Sequence, residues 1–266
     1  MLLVVDIGNT NVVFAVYDGE TQRGRWRVAT DARRSGDEYA VLLSQFLSLG
    51  GLAPQQIEAA MISNVVPAVQ RPIEQLCRQY LGREPISVEQ AIAASDFAIR
   101  IARPEQVGAD RIANAVAAHR SYGGALIVVD FGTATTFDLV DPDGAYSGGI
   151  IAPGINLSID ALYAAAARLP RIALERPREV VGHDTVSAMQ SGVFWGYVGL
   201  VEGLIARIKA ERGEEHRVIA TGGLAPLFND TTTAIDEVDD DLTLRGLMLM
   251  HQALARRQQA DRGVAV

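Results

Sequence analysis

Two short apolar, β-branched runs, each closed by an aspartate, lie half a chain apart: Leu3-Val4-Val5-Asp6 and Leu126-Ile127-Val128-Val129-Asp130. Unbroken apolar runs of this length predict strands buried on both faces. A glycine and small polar residues follow each aspartate, as Ile7-Gly8-Asn9-Thr10-Asn11 and Phe131-Gly132-Thr133-Ala134-Thr135-Thr136. Apolar character then returns over Val12 to Val16 and over Phe137 to Val140. Both second strands run into an Asp-Gly pair, Asp18-Gly19 and Asp143-Gly144, which supplies the positive φ of a tight hairpin. The two copies differ by one residue across the hairpin. A single Asp-x-Gly at a strand end is ordinary turn punctuation. Two with the same flanks predict a duplicated domain whose turns face each other across a phosphate-holding cleft.

The remaining pattern predicts a mixed sheet covered by helices in each half. Arg25 to Thr30 reads as a third strand, and Asp37 to Leu49 carries apolar residues at helical spacing until Gly50-Gly51 stops it. Ile57 to Ser63 reads as a buried strand, followed by a helix ending near Tyr80 and an edge strand at Ile86 to Val88. Gln106 to Arg120 reads as a helix with a stripe at Ile112, Ala113, Val116 and Ala117. The boundary is expected at Gly123-Gly124, giving an N-terminal domain over 1–121 and a C-terminal one over 122–266. The second half has a glycine-rich segment, Ser147 to Gly154, and a helix from Ile155 to about Arg168. A long helix capped by Asp184 or Thr185 then runs to Arg212. Gly192, Gly196, Gly199 and Gly203 lie within it, a costly pattern that suggests close packing of backbone on the sheet. Arg217 to Thr221 reads as the last strand, followed by Gly222-Gly223, an acidic loop at Asp236 to Asp241 and a terminal helix from Leu242 to about Arg257.

The 266 residues suffice for two medium domains with their own cores. A net charge of −8 disfavours nucleic acid and anionic membranes, both of which need a basic field. One cysteine, Cys77, cannot form an internal disulfide, and no apolar segment has the length of a membrane span, so a cytoplasmic protein is expected. The sequence contains no Gly-x-x-x-x-Gly-Lys-Ser/Thr loop, no Gly-x-Gly-x-x-Gly fingerprint and no Gly-x-Ser-x-Gly elbow. The four histidines (His119, His183, His216 and His251) are scattered, which disfavours zinc. Two acidic phosphate turns with hydroxyls and glycines suit phosphoryl transfer, where placement and charge neutralisation dominate. Asp110, in the first turn of its helix, is favoured there by the macrodipole whatever its task. It is also placed to act as a base toward a substrate hydroxyl.

Asp6-Ile7-Gly8-Asn9-Thr10, Gly108-Ala109-Asp110-Arg111, Asp130-Phe131-Gly132-Thr133-Ala134-Thr135-Thr136 and Thr221-Gly222-Gly223, in this order, resemble the motifs of type III pantothenate kinases. These kinases lie within the superfamily of acetate and sugar kinases, heat-shock ATPases and actin. The resemblance implies an α/β protein of two ribonuclease-H-like domains with a nucleotide cleft between them. It implies ATP-dependent phosphorylation of pantothenate to 4′-phosphopantothenate, the first step of coenzyme A biosynthesis. Asp6, Ile7, Gly8, Asn9, Thr10, Asn11, Val12 and Val13 would then contact the ATP phosphates, with Asp6 close to Mg²⁺, and Thr133 would also touch ATP. Asp130 would hold a monovalent cation, K⁺ or NH₄⁺. Gly108, Ala109, Asp110 and Arg111 would line the pantothenate pocket, with Asp110 as proton acceptor, and Thr185 would contact substrate. A homodimer is implied as well. Many members place a tyrosine three residues ahead of the proline that is Pro104 here; this chain has Ile101. That departure keeps open a kinase for another small hydroxyl substrate, and fold alone leaves room for a non-catalytic nucleotide-binding regulator.

Overall fold

The computed structural model describes residues 1–95, 97–166 and 168–263. The chain forms two units. One comprises Met1–Ala98, Ala102–Ala117 and the segment from Asp241 onward; the other comprises Ile99–Ile101 and Ala118–Asp240.

In the first unit, β1 (Leu2–Ile7), β2 (Asn11–Asp18) and β3 (Thr21–Ala29) form an antiparallel meander. Helix α1 (Gly36–Leu49) starts where Ser35 and Glu38 cap each other's backbone, an arrangement worth about 1 kcal/mol. Strand β4 (Ala59–Asn64) then pairs parallel with β1. Helix α2 (Pro67–Gln75) continues into a wider turn at Leu76–Tyr80. The expected edge strand shrinks to β5 (Ile86–Ser87), because Ser87 caps a new helix, α3 (Val88–Ala93). The sheet order is β3-β2-β1-β4-β5. Leu3, Val5, Ile7, Phe14 and Ile62 pack on one face against Tyr39, Leu43, Val69 and Ile73. Helix α4 (Ala109–Tyr122) follows, and its Ala115, Ala117 and Ala118 are fully buried.

The second unit repeats the plan. Strands β6 (Leu126–Phe131), β7 (Ala134–Val140) and β8 (Tyr146–Pro153) form the meander. The glycine-rich segment is therefore a strand, opposite Leu139 and Asp138 at Gly148 and Gly149, where the register shifts. Helix α5 (Ile155–Ala165) follows; its expected extension passes through Ala167, outside the described residues. Helix α6 (Thr185–Arg212), capped by Asp184, precedes β9 (Arg217–Thr221), α7 (Ala225–Asn229) and β10 (Glu237–Val238). Part of the acidic loop is thus a short strand parallel to β9. The sheet order is β10-β9-β6-β7-β8. Counted from each meander, both sheets run third, second, first, fourth, fifth, with the fourth and fifth strands parallel to the first. This is the ribonuclease-H-like arrangement, twice. Phe131, Phe137, Phe194, Val201 and Phe228 lie in the second core, with Phe131 and Phe228 stacked at 4.9 Å.

The last helix, α8 (Leu242–Gly263), belongs to the first unit. It packs on β1 and β4, and Thr243 donates to the buried Asn114 Oδ1 at 2.7 Å. A Cβ on Gly246 would come 2.0 Å from the Ala113 carbonyl, so α4 and α8 touch backbone to backbone.

Candidate active site

Asp6 stands near the end of β1, level with Val13 on β2 and with Ser63 on β4. Gly8 closes the following turn by donating its N–H to the Asn11 carbonyl at 2.9 Å. Ile7 and Val12 point into the core; Asn9 and Thr10 are exposed. The run Asp6 to Val13 is thus one strand–turn–strand, as expected from the sequence.

Asp110 sits in the first turn of α4, and its Oδ1 accepts the Arg111 backbone N–H at 2.8 Å. A Cβ on Gly108 would lie 2.6 Å from that oxygen, so the glycine leaves the space the carboxylate occupies. Ala109 is buried. Burial raises the Asp110 carboxyl above the ordinary carboxylate range, and the Arg111 N–H and charge oppose the rise.

Asp6 and Asp110 belong to the same unit and feel each other. Burial first, and the Asp110 charge second, push Asp6 up to about 7, against a lowering by the Ser63 hydroxyl. No salt bridge among the described residues relieves the pair. Two repelling, half-buried carboxylates, one of them beside a phosphate-type turn, fit a divalent cation that keeps phosphate oxygens as its other ligands. The described residues hold no cluster of three or more acidic, histidine or cysteine side chains, so the protein would supply few ligands of its own.

In the second unit, Asp130 is level with Thr136 on β7 and Thr221 on β9. Each acidic strand end therefore has a hydroxyl beside it on the parallel neighbour, Ser63 or Thr221, both buried. The sequence offered no sign of this, because parallel pairing joins distant segments. Gly222, at φ +90°, passes so close that a Cβ would come 2.5 Å from Asp130 Oδ1. Gly132 closes the second turn onto the Ala134 carbonyl at 3.0 Å, one residue tighter than the first turn. Thr133 is exposed there, and its carbonyl packs on Gly154.

Thr185 is the first residue of α6. It lines an apolar groove of about 780 Å³ with Leu162, Met189, Val193, Tyr197 and Leu200. A Cβ on Gly192, Gly196 or Gly199 would meet nothing within 4 Å. The expectation that the glycines of α6 pack on the sheet is therefore overturned: these three face open space. Gly192 and Gly196 line the groove.

The type III pantothenate kinase family model matches residues 2–207. A type III pantothenate kinase of Paramagnetospirillum magneticum is 58% identical over 252 residues, covering 95% of this chain and 97% of the relative. One from Rhodospirillum rubrum is 55% identical, covering 98% of this chain and 100% of the relative. Among solved structures, the activator of the 2-hydroxyisocaproyl-CoA dehydratase from Clostridium difficile, with bound ADPNP, shares the fold at a TM-score of 0.54 and 12% identity, over 98% of this chain and 97% of that one. Motif order, the doubled sheet and these matches agree: the chain belongs to the type III pantothenate kinase family.

Proposed function

We propose that the chain transfers the γ-phosphoryl group of ATP to the hydroxyl of pantothenate, giving 4′-phosphopantothenate in the first step of coenzyme A biosynthesis. The observation that carries this is the Asp6–Asp110 pair, set on a phosphate turn and a helix start in a chain of this family. Asp6 to Val13 would hold the ATP phosphates, and Asp6 would help to hold the divalent ion. A divalent cation, when bound, neutralises charge on the phosphate oxygens. Asp110 accepts the proton of the attacking hydroxyl; a carboxyl held above its ordinary range is a better base near neutral pH. Gly108, Ala109 and Arg111 line the pantothenate pocket around it. Thr133 contacts ATP, and Thr185, which lines the groove, contacts substrate. Each of the expected divisions, 1–121 and 122–266, bears one phosphate turn, while the segment from Asp241 onward returns to the first unit.

A coupled ADP-release assay tests the reaction, with pantothenate set against small alcohols and sugars. Turnover of another alcohol but not pantothenate would make the chain a kinase for a different hydroxyl substrate. No ADP with any acceptor would leave a nucleotide-binding regulator.

Three further assignments extend this reading. Asp130 holds a monovalent cation, supported by its match to the family motif. Rates in K⁺ or NH₄⁺ are expected to exceed those in a Na⁺-only buffer by about tenfold or more, on the order of a lost charge-stabilising contact; equal rates would remove the cation from Asp130. The protein is a homodimer, supported by the open, glycine-lined groove of α6, and sedimentation at working concentration measures it. It works in the cytoplasm, in keeping with one buried, inert thiol at Cys77, whose pKa burial pushes up to about 12. No described helix is long and apolar enough to cross a membrane.

A further inference from the structure

We propose that Thr30 is a positioning residue for the first phosphate turn. The proposal rests on the assignment of ATP phosphates to Asp6–Val13. Thr30 follows β3, whose last residue, Ala29, lies opposite Asn11. From there it reaches two carbonyls of the turn. Its hydroxyl donates to the Gly8 carbonyl at 2.6 Å, and its backbone N–H donates to the Thr10 carbonyl at 3.0 Å.

The consequence follows from the planar trans peptide, in which a carbonyl and the next residue's N–H point in opposite directions. Holding the Gly8 carbonyl aims the Asn9 N–H away from Thr30. Holding the Thr10 carbonyl does the same for Asn11. A turn that cradles an anion needs its N–H groups toward the anion and its carbonyls turned away. Thr30 occupies both carbonyls and so sets the face on which the N–H groups converge.

The second unit supports this with different chemistry at the equivalent place. There Ala134 lies opposite Pro153, so Gly154 corresponds to Thr30. A Cβ on Gly154 would come 2.1 Å from the Thr133 carbonyl oxygen and 2.8 Å from that of Gly132. Its bare backbone is pressed against two carbonyls of the second turn. In both units the residue after the third strand braces the phosphate turn from behind, once by hydrogen bonds and once by direct contact.

The test uses the full chain with T30V, which keeps the shape and the N–H but loses the hydroxyl, T30S, which restores it, and D6N as a reference for the turn itself. Steady-state KM for ATP and for pantothenate are measured, with ADP affinity by calorimetry. T30V is expected to raise KM for ATP and the ADP Kd about five- to twentyfold, the range for one lost hydrogen bond that leaves a carbonyl unpaired. KM for pantothenate stays within about twofold, and T30S returns ATP binding to within about twofold of wild type, since the same bond is restored. Unchanged ATP and ADP binding in T30V overturns the proposal if D6N has lost activity. If D6N also leaves ATP kinetics intact, the assignment of the turn falls, and the brace with it. Equal losses for both substrates without recovery in T30S overturn it too. Should T30V fail to fold, T30A gives the same readout.

Discussion

Asp6→Asn is expected to make the ligand-free protein more stable and the enzyme inactive. The stability half follows from the raised carboxyl. Asp6 titrates near 7 in the folded chain against an ordinary 3.8, through burial and the Asp110 charge. A carboxyl raised in this way favours the fold only while protonated. Its contribution is complete below pH 4, declines as pH rises, and is lost above about 7. At pH 8 the half-buried charge costs roughly 2–4 kcal/mol. Asparagine keeps the shape without the charge. The apparent Tm of the variant at pH 8 should therefore exceed that of wild type by about 4–8 °C. At pH 5 the difference should shrink toward zero, and Mg²⁺ with ATP should restore wild type but not the variant. The activity half follows from the same charge, which the divalent ion needs; a fall in kcat/KM of about 10²–10³ is expected. A variant no more stable at pH 8 than at pH 5, relative to wild type, would show that the carboxylate is not under repulsion.

Asp110→Asn is expected to abolish transfer while ATP still binds. Asparagine accepts the Arg111 N–H as aspartate does and fills the same space over Gly108, so the start of α4 keeps its geometry. It cannot take a proton. Loss of a positioned base lowers kcat by about 10²–10⁴, with ADP affinity by calorimetry close to wild type. The wild-type acid limb of kcat/KM should lie above the ordinary carboxylate value, because the group must be ionised and burial raises it. Removing the Asp110 charge also removes one cause of the Asp6 shift, so Asp6 should titrate lower in this variant. Full turnover by Asp110→Asn would take the proton-acceptor role from this residue.

The turns were legible in the sequence because they are local. An apolar strand, an aspartate, a glycine and an Asp-Gly hairpin all fall within about twenty residues, and their repetition exposed the duplication. What depended on distant pairing was not legible. Ser63 lies beside Asp6 only because β4 returns parallel to β1 after a helical crossover, and Thr221 reaches Asp130 the same way. Ser147 to Gly154 did not read as a strand because glycine carries little strand preference; the neighbouring β7 imposes it. The glycines of α6 announced a special face, but their spacing could not distinguish a packed face from an open one. Thr30 read only as the end of a strand, although the meander carries it back to the turn.

The first unit's sheet is complete in sequence by Ser87, yet the helix that covers its second face is α8. The second unit is drawn almost wholly from one stretch, Ala118–Asp240, which interrupts the first. The strands that open the first unit's sheet are therefore covered by a segment that lies beyond the whole of the second unit in sequence. Helix α8 thus completes the cover of the sheet whose first strand carries Asp6.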